Sequence, residues 1–235
     1  MTHTDTDTDT GTDTGTKSNP EHGCDPSGLT AALKHHGLVA ILRSRTPGPL
    51  VDVLRVLADA GVRIMEITIP TPGSLQAVRE ATDEFGSSIL VGTGTVLTEA
   101  EVHHTAAAGG RFVVSPNVDP TVIGAARAAR VGSLPGAYTP TEIVEAWRHR
   151  PSAVKVFPAS GLGPGYLADI AAPLPDIPLV PTGGIRVEDV AAYRNSGAIA
   201  VGVSSPLVGD ALTGGSLHEL YQRATEFVAA ARGEQ

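Results

Sequence analysis

Eight short apolar runs, each followed by a turn and then by an alanine-rich stretch of helical period, fill the chain from Leu29 onward. The runs are 37–43 (GLVAILR), 62–68 (VRIMEIT), 88–92 (SILVG), 111–115 (RFVVS), 131–135 (VGSLP), 153–157 (AVKVF), 177–181 (IPLVP) and 198–202 (AIAVG). Helical patterns lie between them near 49–60, 73–85, 98–108, 120–129, 139–148, 165–171 and 187–195, and a last one covers about 216–232. Strands that alternate with helices predict a parallel sheet, and eight repeats are the number that closes one into a (β/α)8 TIM barrel of the α/β class. An open doubly wound sheet is the alternative. It would place a glycine-rich dinucleotide turn after its first strand, and ILRSRTPG is not one. A length of 235 residues suits one such barrel. Hydrophobic residues make up 41% but aromatic ones only 4%, which fits a core of Ala, Val, Leu and Ile packed between strands and helices.

Residues 1–27 stand apart. They alternate Thr with Asp and Gly and hold almost nothing apolar, so they cannot bury enough surface to offset their ordering entropy and are expected to form a disordered tail. Residues 28–235 are then the single folded domain. The formal charge of −8 and the lack of a basic cluster argue against nucleic-acid binding. No apolar run approaches a membrane span, and the start of the chain has no apolar signal core. Cys24 is the one cysteine and rules out an intrachain disulfide. The expectation is a soluble cytoplasmic protein that binds neither nucleic acid nor membrane.

In such a barrel the reactive groups sit at the carboxyl ends of the strands and on the loops that follow. Lysine is rare in this chain: Lys17, Lys34 and Lys155, against fourteen arginines. Lys155 lies inside an apolar strand between Val154 and Val156. Strand side chains alternate faces, so if the valines face the helices, Lys155 and Phe157 face the lumen. Burial there disfavours the ammonium, and a neutral amine is the form that attacks a carbonyl. Glu66, in the run Ile64-Met65-Glu66-Ile67-Thr68, faces the lumen by the same alternation and suits a general acid/base. A purely structural lysine–carboxylate pair is the plainer reading of both, and it is compatible with the catalytic one.

Arg43 ends the first strand, where its guanidinium fork suits a substrate carboxylate. Thr95, in GTGT after the third strand, can help hold the same group. Pro181-Thr182-Gly183-Gly184 closes the seventh strand and Gly202-Val203-Ser204-Ser205 the eighth, where barrels often bind phosphate. The histidine pairs His35-His36 and His103-His104 fall on helical stretches, and no set of His and carboxylates is spaced to hold a divalent metal. Neither a metal nor any other cofactor is expected.

Together LVAILR, MEIT, VGTGTV, VVSPN, LPGAYTPTE, VKVFPAS and PTGGI, with the serine-bearing loop after the eighth strand, resemble the KDPG/KDPGal aldolase family, from about Leu29 to the end of the chain. These are aldolases of 2-dehydro-3-deoxy-6-phosphogluconate or -galactonate. The resemblance implies that Lys155 is the Schiff-base lysine and Glu66 the general acid/base. It implies that Arg43 and Thr95 hold the carboxylate of a 2-oxo acid, and that Pro116 and Phe157 pack around the pyruvyl group. It further implies that Thr182 lies near the substrate hydroxyls, that Gly183, Gly184 and Ser205 take the phosphate, and that the chain is a homotrimer. The chain departs from the family at Pro70, where KDPG-type members can carry an arginine, and at Ser204, which replaces a glycine. The ILRSRTP and SGLGPGY stretches look closer to the galactonate type, and PTGG to the gluconate type. 4-Hydroxy-2-oxoglutarate is a further candidate substrate. Two rivals are a phosphate-binding isomerase or epimerase, in which Lys155 is only electrostatic, and a barrel that binds a metabolite without turning it over.

Overall fold

The computed structural model describes Met1 and residues 27–234. Residues 2–26 of the expected tail, with Lys17 and Cys24, lie outside the described residues. Among the described residues nine strands are paired throughout in parallel: β1 (Leu38–Leu42), β2 (Ile64–Thr68), β3 (Leu90–Gly94), β4 (Phe112–Val114), β5 (Gly132–Leu134), β6 (Gly136–Ala137), β7 (Val154–Val156), β8 (Leu179–Pro181) and β9 (Val201–Val203). They form a six-stranded sheet in the order β5-β4-β3-β2-β1-β9 and a three-stranded sheet in the order β6-β7-β8. The helices are α1 (Leu29–His36), α2 (Leu50–Asp59), α3 (Ser74–Phe85), α4 (Glu99–Ala107), α5 (Pro120–Ala128), α6 (Pro140–Arg148), α7 (Gly163–Ala171), α8 (Val190–Asn195), α9 (Ser205–Val208) and α10 (Leu217–Arg232). Among the described residues no helix is long and apolar enough to cross a membrane.

The fifth expected strand is divided at Pro135, which has no N–H to give to a ladder. Its first half, β5, runs in a ladder with β4, and its second half, β6, with β7. Ser115 N–H donates to Leu134 O on one side, while Ser152 N–H donates to Ser133 O and Lys155 N–H to Pro135 O on the other. Isolated parallel bridges pair Leu179 of β8 with Ala198, and Thr182 with Gly202 of β9. The third strand also shifts, from the expected 88–92 to Leu90–Gly94. Ser87 and Ser88 belong to the turn after α3, and the apolar run stops at Gly92, although a glycine backbone pairs as well as any other. Gly92, Thr93 and Gly94 continue the ladder with Glu66, Ile67 and Thr68.

Alternation sorts the side chains into two cores. Ala40, Leu42, Met65, Ile67, Val91, Val154, Val156, Leu179, Val201 and Val203 pack against the helices. Val39, Ile41, Ile64, Phe112, Val114, Leu134 and Val180 pack on the inner surface of the curled sheets. Leu29 and Leu33 of α1, both fully buried, join the inner core. The helix before the first strand therefore caps the amino-terminal end of the strands, each leucine contributing about 1.5–3 kcal/mol. Phe112 fits inside because Gly92 is bare: a Cβ there would come within 2.7 Å of the ring.

Local chemistry sets the helix starts. Thr98 with Glu101 and Thr139 with Glu142 form capping boxes at α4 and α6. In each, the hydroxyl takes an orphan backbone N–H and the carboxylate takes another. α4 begins five residues after the end of β3 and α6 three after the end of β6, so these caps fix where the loops at the strands' carboxyl ends close.

Candidate active site at the carboxyl ends of the strands

Lys155 and Glu66 lie on the inner surface, as alternation requires. Val154 and Val156 are in the outer core on either side of Lys155, and Met65 and Ile67 on either side of Glu66. Lys155 is 6% exposed and Glu66 2%. Removal from water pushes the Lys155 amine below the ordinary lysine value; the Glu66 carboxylate opposes this, and Arg43 adds to it. Burial likewise raises Glu66 above the usual carboxylate range, against the pull of Lys155 and then of Arg43. The three groups thus share one field, although they come from β7, β2 and the end of β1.

Glu66 carries a further mark. Its Oε1 is buried and has no hydrogen-bond partner among the described residues. A buried acceptor left without a protein partner costs about 1–3 kcal/mol, so such atoms cluster where a water or a substrate group belongs. The carboxyl group has its space because Gly94 is bare: a Cβ on Gly94 would stand 1.6 Å from Oε1 and 2.3 Å from the carboxyl carbon.

Around this pair, Phe157 turns its ring toward Lys155, with Nζ 4.6 Å from the ring centroid. Arg43 is exposed at the mouth and reaches Thr95, Nη2 to Oγ1, at 3.4 Å. Thr95 has φ 59, in the left-handed region that a β-branched residue enters only under constraint. Pro116 follows β4 and is half-buried, and its carbonyl lies where a Cβ on Gly136 would fall. Thr182 is 6% exposed, with its hydroxyl facing bare Gly202. Gly183 and Gly184, at φ 103 and 71, adopt turns that glycine allows without strain. A Cβ on Gly183 would be 3.5 Å from the Phe157 ring, and one on Gly184 2.6 Å from Ser160 Cβ.

The structure therefore brings Lys155, Glu66, Arg43, Thr95 and Phe157 into one set of contacts and fields, with Thr182 and Gly183 on the neighbouring strand ends. Ser205 is exposed and starts the four-residue α9. The Ser204 hydroxyl donates to Ile41 O at 3.0 Å and ties the end of β9 to β1. The two histidine pairs fall on α1 and α4, where the His35 and His36 rings meet edge to face at 4.6 Å. Among the described residues no group of three or more His, Cys, Asp or Glu is placed to hold a metal ion. Sequence reasoning missed Gly94. Its signal was the G-x-G alternation in β3, which leaves two bare positions on the inner face beside a strand that carries a carboxylate.

The KDPG and KHG aldolase family model matches residues 29–222. A Rhizobium meliloti protein described as a probable 2-dehydro-3-deoxy-6-phosphogalactonate aldolase is 36% identical over 194 residues, 82% of this chain and 90% of that protein. The 2-dehydro-3-deoxy-6-phosphogalactonate aldolase of Escherichia coli is 34% identical over 196 residues, 83% of this chain and 94% of that protein. Among solved structures, a native KDPGal structure superimposes with a TM-score of 0.78 at 33% identity, covering 84% of this chain and 95% of that one.

Proposed function

Since the chain belongs to the KDPG and KHG aldolase family, we propose that it is a lyase that reversibly cleaves a 2-dehydro-3-deoxy-6-phospho sugar acid to pyruvate and D-glyceraldehyde 3-phosphate. The acid is of the gluconate or galactonate type, and the names of the two relatives above favour galactonate. The mechanism is that of a class I aldolase, without a metal. The observation that carries it is a desolvated lysine beside a buried carboxylate whose Oε1 is unpartnered.

In this reading the carboxylate of the 2-oxo acid lies on Arg43 and Thr95, with Pro116 and Phe157 against the pyruvyl group. The neutral Lys155 amine attacks C2, water leaves, and the resulting iminium becomes the electron sink. Glu66, through a water, takes the proton of the C4 hydroxyl. The C3–C4 bond breaks, the aldehyde departs, and its electron pair remains in an enamine. Glu66 then gives the proton to C3, and hydrolysis frees pyruvate. Thr182 borders the substrate hydroxyls, and Gly183, Gly184 and Ser205 take the phosphate. Residues 28–235 form the catalytic domain as one closed (β/α)8 barrel. The bridges between β8 and β9 and the double-sided pairing at Pro135 support this closure. The resemblance also supports a cytoplasmic homotrimer.

Borohydride reduction in the presence of pyruvate tests the core of the proposal. The expected result is a stable pyruvyl adduct whose peptide maps to Lys155. A folded protein that yields no adduct would instead favour the isomerase or binding readings.

Gly94→Ala checks the placement of Glu66 without touching Glu66 itself. Gly94 is in an ordinary strand conformation, so alanine strains no backbone, yet its methyl must displace the carboxyl group. Proton transfer at pyruvate C3, followed as exchange with deuterium, is expected to slow roughly 10²-fold or more, while the pyruvate adduct still forms. An unchanged exchange rate would mean that the carboxyl position is unimportant.

A further inference from the structure

A pair of buried hydroxyls behind the mouth of the site is used by none of the steps above. Thr68 and Thr71 are 1% and 2% exposed. Their Oγ1 atoms are 2.8 Å apart, and Thr71 Oγ1 also accepts the backbone N–H of Ser44 at 3.2 Å. Ser44 follows Arg43 directly. Its own hydroxyl donates to Thr46 O at 2.7 Å and accepts Thr46 N–H at 3.2 Å, so the chain folds back at once after the anchored amide. Thr68 is two residues beyond Glu66 on β2 and shares its face. Thr71 Oγ1 accepts from an amide that can only donate, and its second lone pair and its own proton leave it able to share the contact with Thr68 in either direction. One segment of β2 and its turn therefore fixes both the carboxylate that moves protons and the amide next to the arginine at the mouth.

We propose that Thr71 is a positioning residue: through the Ser44 amide it sets Arg43 to take the carboxylate of a 2-oxo acid at a fixed distance from Glu66, and so makes the site selective for 2-oxo acids over plain ketones. The inference rests on the aldolase reading above. Its chemistry separates two contributions. The amine of Lys155 captures any small carbonyl compound, whereas only a correctly aimed guanidinium rewards the carboxylate, by paired charge-assisted hydrogen bonds.

The experiment compares borohydride trapping of pyruvate with that of acetone, which offers a carbonyl and a methyl group without the carboxylate. It uses the full-length wild type, Thr71→Val and Thr71→Ser. The wild type is expected to prefer pyruvate, the valine variant to lose about tenfold of that preference, and the serine variant to regain most of it. If the valine variant is unfolded by circular dichroism, Thr71→Ala replaces it with the same expectation. A general loosening of the fold would lower both trapping rates together and leave their ratio intact. An unchanged ratio in a folded hydroxyl-free variant overturns the role of Thr71 while the aldolase reading stands. Failure of the wild type to trap pyruvate overturns the aldolase reading itself.

Discussion

Replacing Lys155 with alanine is expected to abolish the pyruvate adduct and to reduce aldol cleavage by roughly 10⁴–10⁶-fold, the scale seen when a covalent nucleophile is lost. The argument is electronic. Breaking C3–C4 leaves an electron pair on C3, and an iminium at C2 accepts it far better than a ketone does. The remaining residues can bind the substrate and accept a proton, but they supply no electron sink. The fold should survive, because β7 is held by backbone bonds and by Val154 and Val156, which face away from the site. Stability adds a second readout. Burial lowers Lys155 below its ordinary value, so the unfolded chain binds that proton more readily than the folded one. The lysine therefore weakens the fold at pH values below the ordinary lysine pKa, and the penalty fades as pH rises toward it. In the alanine variant this part of the pH dependence of thermal unfolding should vanish. A variant that keeps substantial turnover would sink the Schiff-base scheme.

The residues that carry this prediction were legible because they break a pattern. A lysine between two valines and a glutamate between a methionine and an isoleucine violate the apolar composition of their strands, and period-two alternation assigns them to one surface without any coordinates. Arg43 could be read as the polar end of an apolar run. What escaped is whatever depends on contacts between distant segments. Thr71 holds Ser44 across 27 positions, and a hydroxyl in a loop carries no sign of which amide it will reach. Gly94 reads as a break in a strand, yet its function is the absence of a side chain where Glu66 needs room. In the sequence Ser204 is only a serine in place of a family glycine, and the acceptor its hydroxyl reaches, the Ile41 carbonyl, is not legible there. The division of the fifth strand follows from Pro135, whose missing N–H was visible in the sequence, but which strand each half would pair with was not.

Replacing Glu66 with glutamine should separate two events that Lys155→Ala removes together. Glutamine keeps the shape of the side chain and so leaves the space beside Gly94 filled, but it cannot cycle a proton. Exchange at pyruvate C3 and aldol cleavage are therefore expected to fall by roughly 10²–10⁴-fold. Adduct formation with pyruvate should persist, because the amine is untouched, and its pH profile should move in a defined direction. The Glu66 carboxylate favours the charged form of Lys155 and partly offsets the effect of burial. Without that charge, burial and Arg43 act unopposed, and the amine should deprotonate at a lower pH than in the wild type. The midpoint for trapping is thus expected to shift downward while proton transfer slows. A single loss of structure cannot do both, since a loosened site would rehydrate Lys155 and move its midpoint back up. Trapping and exchange measured on the same preparation across pH therefore test the assignment directly. If the midpoint falls and exchange slows, Glu66 is both the electrostatic partner of the lysine and the group that moves the proton. If the midpoint falls while exchange is unchanged, Glu66 only tunes the amine, and another group handles the proton.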